Sequence, residues 1–88
     1  MAKYRKKPVV VEAEQWGGPG LLVPGVQREF VPTTPDGERG YYRYYVVTVH
    51  GQQTDVSPKD WIIAEPDGRG HYPCKPDIFA ATYEPTSE

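Results

Sequence analysis

Hydrophobic and polar residues alternate with a period of two in two stretches of the chain, which is typical of half-buried β-strands. In residues 9–16, one face would carry Val9, Val11 and Ala13 and the other Val10, Glu12, Glu14 and Trp16. Residues 41–49 form the longest candidate strand, and apolar side chains on both faces predict a central place in the sheet. His50-Gly51 predicts a hairpin turn into residues 52–56, a polar strand expected at an edge.

The C-terminal third of the chain predicts a hairpin followed by a short helix. Residues 57–60 have the composition of a tight turn, and residues 61–64 that of a short buried strand. A second turn at 66–70 leads to a short extended run at 71–74. Pro76-Asp77 then begins a brief helix, because proline is favoured at the first helical position. The large apolar residues of this unit are expected in the core: Trp61, Ile63 and Phe79.

The composition favours short strands joined by turns over a helical protein. The 88 residues include ten prolines and nine glycines. We therefore expect one small domain over 1–88, mainly β, with an antiparallel curled sheet or partly open barrel and one short C-terminal helix. Residues 17–40 are rich in glycine and proline and predict either a loop over the core or an edge hairpin. Residues 85–88 are expected to form a polar tail.

Charge and cysteine content narrow the class of protein. The net charge of −2 provides no overall field that would recruit nucleic acid or an anionic membrane. One cysteine excludes an internal disulfide and is typical of a reducing compartment. No apolar run is long enough to span a bilayer, and the lysine-rich start lacks the apolar region of a signal peptide. A protein of the cytoplasm, without a cofactor, is the expectation.

No arrangement of reactive side chains predicts catalysis or a metal site. Cys74 is the one thiol, and His71 lies three residues away, a spacing that puts the two side chains on opposite faces of a strand. We therefore expect Cys74 to be a small buried residue. The two histidines and one cysteine lack zinc-ligand spacing. Several carboxylates lie in turns or at the helix start, where aspartate usually accepts backbone hydrogen bonds: Asp55, Asp60, Asp67 and Asp77.

Two groups of residues allow a binding interpretation beside a structural one. Four tyrosines between residues 41 and 45 lie close to Arg39 and Arg43, a mixture that can stack nucleotide bases. The same tyrosines can pack a thin β core, and this second interpretation is favoured. The basic residues at 3–7 could contact phosphate, although a solvated lead-in to the first strand is favoured there.

Both ends of the chain carry specific motifs. The start contains KYRKKPVVVEA followed by Gln15-Trp16, and the end contains YPCKPDIF followed by Thr82-Tyr83-Glu84. These motifs, about half of the chain, resemble a functionally uncharacterised family of small proteins encoded by tailed bacteriophages and prophages. The resemblance implies a bacteriophage origin and a place in the host cytoplasm, and it implies no particular activity. Lys59 departs from the glycine of that family's turn, which leaves open whether the turn has a positive φ there.

The sequence and the resemblance together suggest a non-enzymatic bacteriophage accessory protein that binds a host or phage protein, or a second copy of itself. The alternative is a module that sequesters a small ligand such as a nucleotide. The corner between the last strand and the helix is rigid, because Pro73 and Pro76 restrict it. The contact surface is predicted at this corner and the basic start, at the following residues: Tyr72, Lys75, Asp77, Arg5 and Lys7.

Overall fold

The computed structural model describes residues 1–5, 7, 9–21 and 23–86 and has six strands and one helix. In chain order these are β1 (Ala13–Gln15), β2 (Gln27–Pro32), β3 (Gly40–Val47), β4 (Gln53–Asp55), β5 (Trp61–Ala64), β6 (His71–Cys74) and α1 (Pro76–Thr82). Two antiparallel sheets form, with the orders β2-β3-β4 and β1-β5-β6. The prediction of a mainly β fold with one short C-terminal helix is confirmed, and the described strands do not close into a barrel.

The sheet around β3 follows the predicted pattern. β3 is the longest strand and lies between β2 and β4. Val46 on one face and Tyr45 on the other are both buried, as expected for a central strand. The turn before β4 forms where His50-Gly51 predicted it, with Gly51 N–H donating to the Thr48 carbonyl at 2.9 Å. Gly51 has a φ of 78°, a conformation that glycine adopts without a steric penalty.

The glycine- and proline-rich region 17–40 combines both structures that its sequence left open. Its first part is a loop from which Val23 and Val26 pack against the core. Its second part contains β2, an edge strand that pairs with β3. β2 is exposed at five of its six positions, so the part of the β2–β3 hairpin that extends beyond the pairing with β4 is largely open to solvent. We call this outer part, residues 27–44, the arm.

The core lies between the two sheets and is centred on Trp16, which is 1 % exposed. Trp16 follows the end of β1, and its backbone bonds to the 57–60 turn: its N–H donates to the Asp60 carbonyl, and its carbonyl accepts from Lys59 N–H. Its indole Nε1 donates to the Leu21 carbonyl at 3.3 Å. The other residues of this cluster come from both sheets: Val46, Val56 and Ile62.

The predicted core of Trp61, Ile63 and Phe79 is correct only for Ile63, which is fully buried. Trp61 of β5 and Phe79 of α1 are half-buried, because the two rings cover each other and one side of the pair stays open to solvent. Their rings stack at 4.2 Å with an angle of 5° between the planes, and Tyr83 extends the stack. This aromatic stack fixes the helix on the sheet.

The turn at 57–60 requires a positive φ. Lys59 has a φ of 77° and is the one non-glycine residue with positive φ in the described chain. Pro58 precedes it, and Asp60 N–H donates to the Ser57 carbonyl at 3.0 Å, which makes a type II turn. Glycine usually occupies this position, so lysine holds the turn in a strained backbone conformation.

The first predicted strand is shorter in the structure than in the sequence pattern. Residues 9–16 were expected to pair throughout, but β1 contains only Ala13–Gln15. The reason is the length of its partner: β5 ends at Ala64, whose N–H donates to the Glu12 carbonyl. Residues 9–11 therefore continue past the end of the sheet.

Candidate functional site

The five residues of the predicted contact surface lie in different settings. Asp77 lies exposed in the first turn of α1, and Arg5 and Lys7 lie exposed in the N-terminal segment. Tyr72 is half-buried on β6, where its hydroxyl lies 3.3 Å from that of Tyr83. Lys75 immediately precedes α1. Among the described residues, no hydrogen bond or ion pair joins Arg5 or Lys7 to the corner at 72–77, so the contact surface stays a prediction.

Lys75 has a structural partner. Its ammonium donates to both carboxylate oxygens of Asp60, at 3.0 and 3.3 Å. Asp60 is 2 % exposed and also accepts from Ser57 N–H at 2.9 Å. A buried carboxylate needs such partners, because leaving it without them would be energetically unfavourable. Lys75 therefore stabilises the 57–60 turn. Its side chain is only partly exposed, and its ammonium is already bound to Asp60.

Cys74 and His71 lie on opposite faces of β6, because they are three residues apart on a strand. Burial raises the pKa of the Cys74 thiol, and the nearby carboxylates of Asp60 and Asp77 raise it further. A raised pKa keeps the thiol protonated and weakens it as a nucleophile. Within the described residues, no cluster of three or more histidine, cysteine, aspartate or glutamate side chains could hold a metal ion.

One face of the arm carries a row of aromatic side chains with an arginine. The β2–β3 register places Phe30 opposite Tyr42, and their rings meet edge to face at 5.4 Å. The guanidinium of Arg28 lies over the Tyr42 ring, 4.6 Å from its centre. Tyr44, opposite Arg28, continues the row to the buried Trp16 at 5.0 Å. We call these four arm residues, Arg28, Phe30, Tyr42 and Tyr44, the aromatic face.

The aromatic face is open to solvent and held in a defined geometry. Phe30 is 40 % exposed and Tyr42 48 % exposed. The Phe30 ring lies against Gly40, where an added Cβ would come within 2.7 Å of its Cζ atom. The lack of a side chain at Gly40 thus lets the Phe30 ring lie against the strand backbone.

The tip of the arm is also ordered. Asp36 accepts hydrogen bonds from the Thr34 hydroxyl and from Glu38 N–H, and these donors lower the pKa of its carboxyl. Thr33 N–H closes the turn by donating to the Arg39 carbonyl at 2.7 Å. The two strands of the arm are therefore joined at both ends of the aromatic face.

The opposite face of the arm is used by internal interactions. Arg43 donates to Gln53 at 2.8 Å and to Asp55 at 3.1 Å, and lies 3.8 Å from Glu29. Its guanidinium also covers the ring of the buried Tyr45. Arg28, in contrast, has no carboxylate partner within the described residues. Arg28 is thus an exposed cation on the aromatic face.

An open cleft of about 290 Å³ lies where the arm joins the body. Aromatic, proline and valine residues line most of it, and the full lining is Trp16, Pro19, Tyr42, Arg43, Tyr44, Asp55, Val56 and Pro58.

The favoured interpretation, that the four tyrosines of residues 41–45 pack the core, is correct for two of them. Tyr45 is buried and Tyr44 half-buried, whereas Tyr41 and Tyr42 are exposed.

Comparison with protein-family models, curated proteins and solved structures found no match to this chain. No helix in the described part of the chain is long and apolar enough to cross a membrane.

The aromatic face was not predicted from the sequence. Phe30 and Tyr42 are twelve residues apart, and their contact depends on the register across the arm tip. The available signal was the turn sequence Thr34-Pro35-Asp36-Gly37, which is typical of a hairpin connection between two strands. Reading it as a hairpin would have placed the apolar residues of β2 against the tyrosines of β3.

Proposed function

We propose that this chain is a non-enzymatic bacteriophage accessory protein that binds a host or phage protein through the aromatic face of its arm. The observation that carries the proposal is the exposed, ordered group of Phe30, Tyr42 and Arg28. Aromatic residues and arginine are enriched in protein interfaces, and tyrosine and arginine are enriched among the few residues that carry most of the binding energy. The bacteriophage origin and the host cytoplasm as its place of action are supported by the resemblance of the two chain ends.

The chemistry of the face defines the partner surface that it fits. Phe30 and Tyr42 offer an apolar ridge on an arm that needs little ordering on binding, which limits the entropic cost of association. Arg28 offers a cation that no described carboxylate neutralises. The complementary surface is a protein groove that buries the two rings and presents a carboxylate to Arg28.

The arm provides a matched control for the test. Phe30 and Tyr42 form one cross-strand pair, and Val31 and Tyr41 form the adjacent pair on the opposite face. The Phe30→Ser/Tyr42→Ser protein and the Val31→Ser/Tyr41→Ser protein are compared with wild type for melting temperature and for capture of host proteins. Captured proteins are purified, and their dissociation constants are measured for all three chains.

The proposal expects a partner whose affinity falls at least about 100-fold with the Phe30/Tyr42 change and less than about threefold with the Val31/Tyr41 change. Arg28→Glu should also weaken it. Equal loss in both double variants, or none in the first, would overturn the proposal. Circular dichroism of each variant establishes that the fold is retained.

The alternative function, sequestration of a small ligand such as a nucleotide, is favoured by the cleft at the base of the arm. Its tyrosines could stack on a base, and its volume approaches that of small-molecule sites. Arg43, however, is already bound to Gln53 and Asp55 and is not free for a phosphate group. A thermal-shift panel of nucleotides tests this alternative, because a ligand that binds only the folded state must raise the melting temperature.

A further inference from the structure

One edge of the arm is open along β2. This strand pairs with β3 and has no second neighbour among the described strands. Its residues 27–30 are all exposed. The free N–H and C=O groups of such an edge are a template for a further strand. In one recurring mode of peptide recognition, an extended segment of the partner becomes that strand.

The backbone alternation of the arm identifies the groups on this edge. Thr33 N–H donates to the Arg39 carbonyl, so in this antiparallel ladder the odd-numbered residues of β2 bond to β3 and the even-numbered residues point away from it. The backbone groups of Arg28 and Phe30 therefore face the open edge, and within the described residues neither makes a backbone hydrogen bond outside the β2–β3 ladder. Pro32 agrees with this alternation, because proline is tolerated in an edge strand where its missing N–H would face solvent.

This edge is poorly matched to a second copy of itself. Two copies of β2 would pair antiparallel about a two-fold axis, with one residue facing its own copy at the axis. An axis at Arg28 or at Glu29 places like charges directly opposite each other, which is destabilising. An axis at Phe30 places Arg28 opposite Pro32, whose missing N–H leaves the Arg28 carbonyl without a donor. The strand that fits the edge therefore has a different sequence.

We propose that the partner protein contributes an extended strand that adds antiparallel to the open edge of β2. Its residues opposite Phe30 and Arg28 lie on the aromatic face, and the residue between them, opposite Glu29, lies on the other face. Arg28, which has no carboxylate partner within the described residues, selects an acidic residue. Phe30 selects a β-branched one, and the half-exposed side chain of Glu29 selects a basic one. From its N-terminal end, the partner strand reads apolar, basic, acidic.

This inference rests on the proposed function, because it names the segment of the partner that lies beside Arg28 and Phe30. The added strand forms one wall of the groove that receives the two rings of the aromatic face. Its backbone exchanges hydrogen bonds with both residues, and its side chains provide the selectivity.

A short peptide with this pattern tests the backbone pairing. The probe is acetyl-Thr-Thr-Val-Lys-Glu-Thr-amide, and its control exchanges lysine and glutamate without changing composition or net charge. An NMR titration of the full chain should give a dissociation constant of about 1 mM or lower for the probe and one at least about tenfold higher for the control. The probe should slow hydrogen exchange at the amides of Arg28 and Phe30, whereas Gln27 and Glu29, already bonded to β3, should change little. Unchanged exchange at Arg28 and Phe30, or equal binding of the two peptides, would overturn the proposal.

A charge exchange in the protein tests the register. The Arg28→Glu/Glu29→Lys protein keeps the net charge and should prefer the control peptide by at least about tenfold, because opposite charges then face each other again. The Glu38→Arg/Arg39→Glu protein, a matched exchange at the exposed arm tip, should keep the wild-type preference. An unreversed preference in the first variant, with its fold retained by circular dichroism, contradicts the register. The comparison of the two peptides on wild type does not depend on whether either variant folds.

Failure of strand addition and failure of the proposed function give different results. If capture of a host protein depends on Phe30 and Tyr42 but the probe leaves the edge amides unchanged, the aromatic face stands and strand addition is overturned. If no capture depends on the two rings, the proposed function is overturned, and protection of the Arg28 and Phe30 amides by the probe still supports the edge as a strand-binding site.

Discussion

The ammonium of Lys75 and the buried carboxylate of Asp60 are joined by hydrogen bonds of 3.0 and 3.3 Å. Lys75 immediately precedes α1, and Asp60 closes the turn that holds Trp16. One ion pair thus connects the helix to the turn beside the core.

Replacing Lys75 by methionine should lower the free energy of unfolding by about 1–3 kcal/mol, because Asp60 loses its charged partner while staying buried. The effect is smaller than for a fully buried pair, since the Lys75 side chain is 57 % exposed and water screens its charge. Urea unfolding measures it. A matched double variant, Asp60→Asn with Lys75→Met, should recover part of the loss; equal stability of Lys75→Met and wild type would contradict the prediction.

Replacing Lys59 by glycine should raise the free energy of unfolding by up to about 1 kcal/mol, because glycine adopts a positive φ without the steric penalty of a side chain. Lys59→Ala is the control. It removes the charge but keeps a Cβ at the φ of 77°, so it should leave stability almost unchanged. Thermal and urea unfolding of the three proteins distinguish a backbone effect from a charge effect, and equal stabilisation by alanine would identify the charge as the cause.

The fold could be predicted from the sequence where turn residues and strand period agree. His50-Gly51 and Pro76 placed the β4 hairpin and the helix start, and the alternation in 41–49 placed β3 at the centre of its sheet. The two-residue period grouped Trp16 with Glu12 and Glu14, but Trp16 lies past the end of β1 and is buried, whereas the two glutamates are exposed. The contact between Phe30 and Tyr42 follows from the hairpin that Thr34-Pro35-Asp36-Gly37 indicates, but its register is not fixed by the turn alone. The ion pair between Asp60 and Lys75 joins two turns fifteen residues apart, and no local pattern predicts it.

Trp16 and Phe79 should differ in their contribution to stability. Trp16→Ala should lower the free energy of unfolding by about 3–5 kcal/mol, because it leaves a cavity among fully buried residues. Phe79→Ala should lower it by less, roughly 1–3 kcal/mol, because the ring is half-buried and loses mainly its stacking on Trp61 and Tyr83. Urea unfolding measures both changes. A larger loss for Phe79→Ala would mean that the helix, and not the space between the sheets, carries the core.

Cys74 should react slowly with a thiol reagent in the native protein at neutral pH. Burial and the carboxylates of Asp60 and Asp77 raise the pKa of its thiol, so the reactive thiolate is scarce. The labelling rate, followed by absorbance, should be well below that of the urea-unfolded chain and should rise at higher pH than for a free cysteine. Equal rates in the native and unfolded states would show an accessible, activated thiol.

Alkaline pH should destabilise the fold through Tyr72. Burial and the hydroxyl of Tyr83 raise the pKa of Tyr72 above its usual range. A group with a raised pKa in the folded state contributes stability below its unfolded pKa, here about 10, and that contribution falls as the pH rises above this value. The free energy of unfolding of wild type should therefore decline above pH ~10. Tyr72→Phe, which cannot ionise, should decline less steeply, whereas the matched Tyr41→Phe change at an exposed tyrosine should leave the wild-type slope intact. If the stability of Tyr72→Phe and of wild type declines equally with pH, the ionisation of Tyr72 does not contribute to the pH dependence of folding.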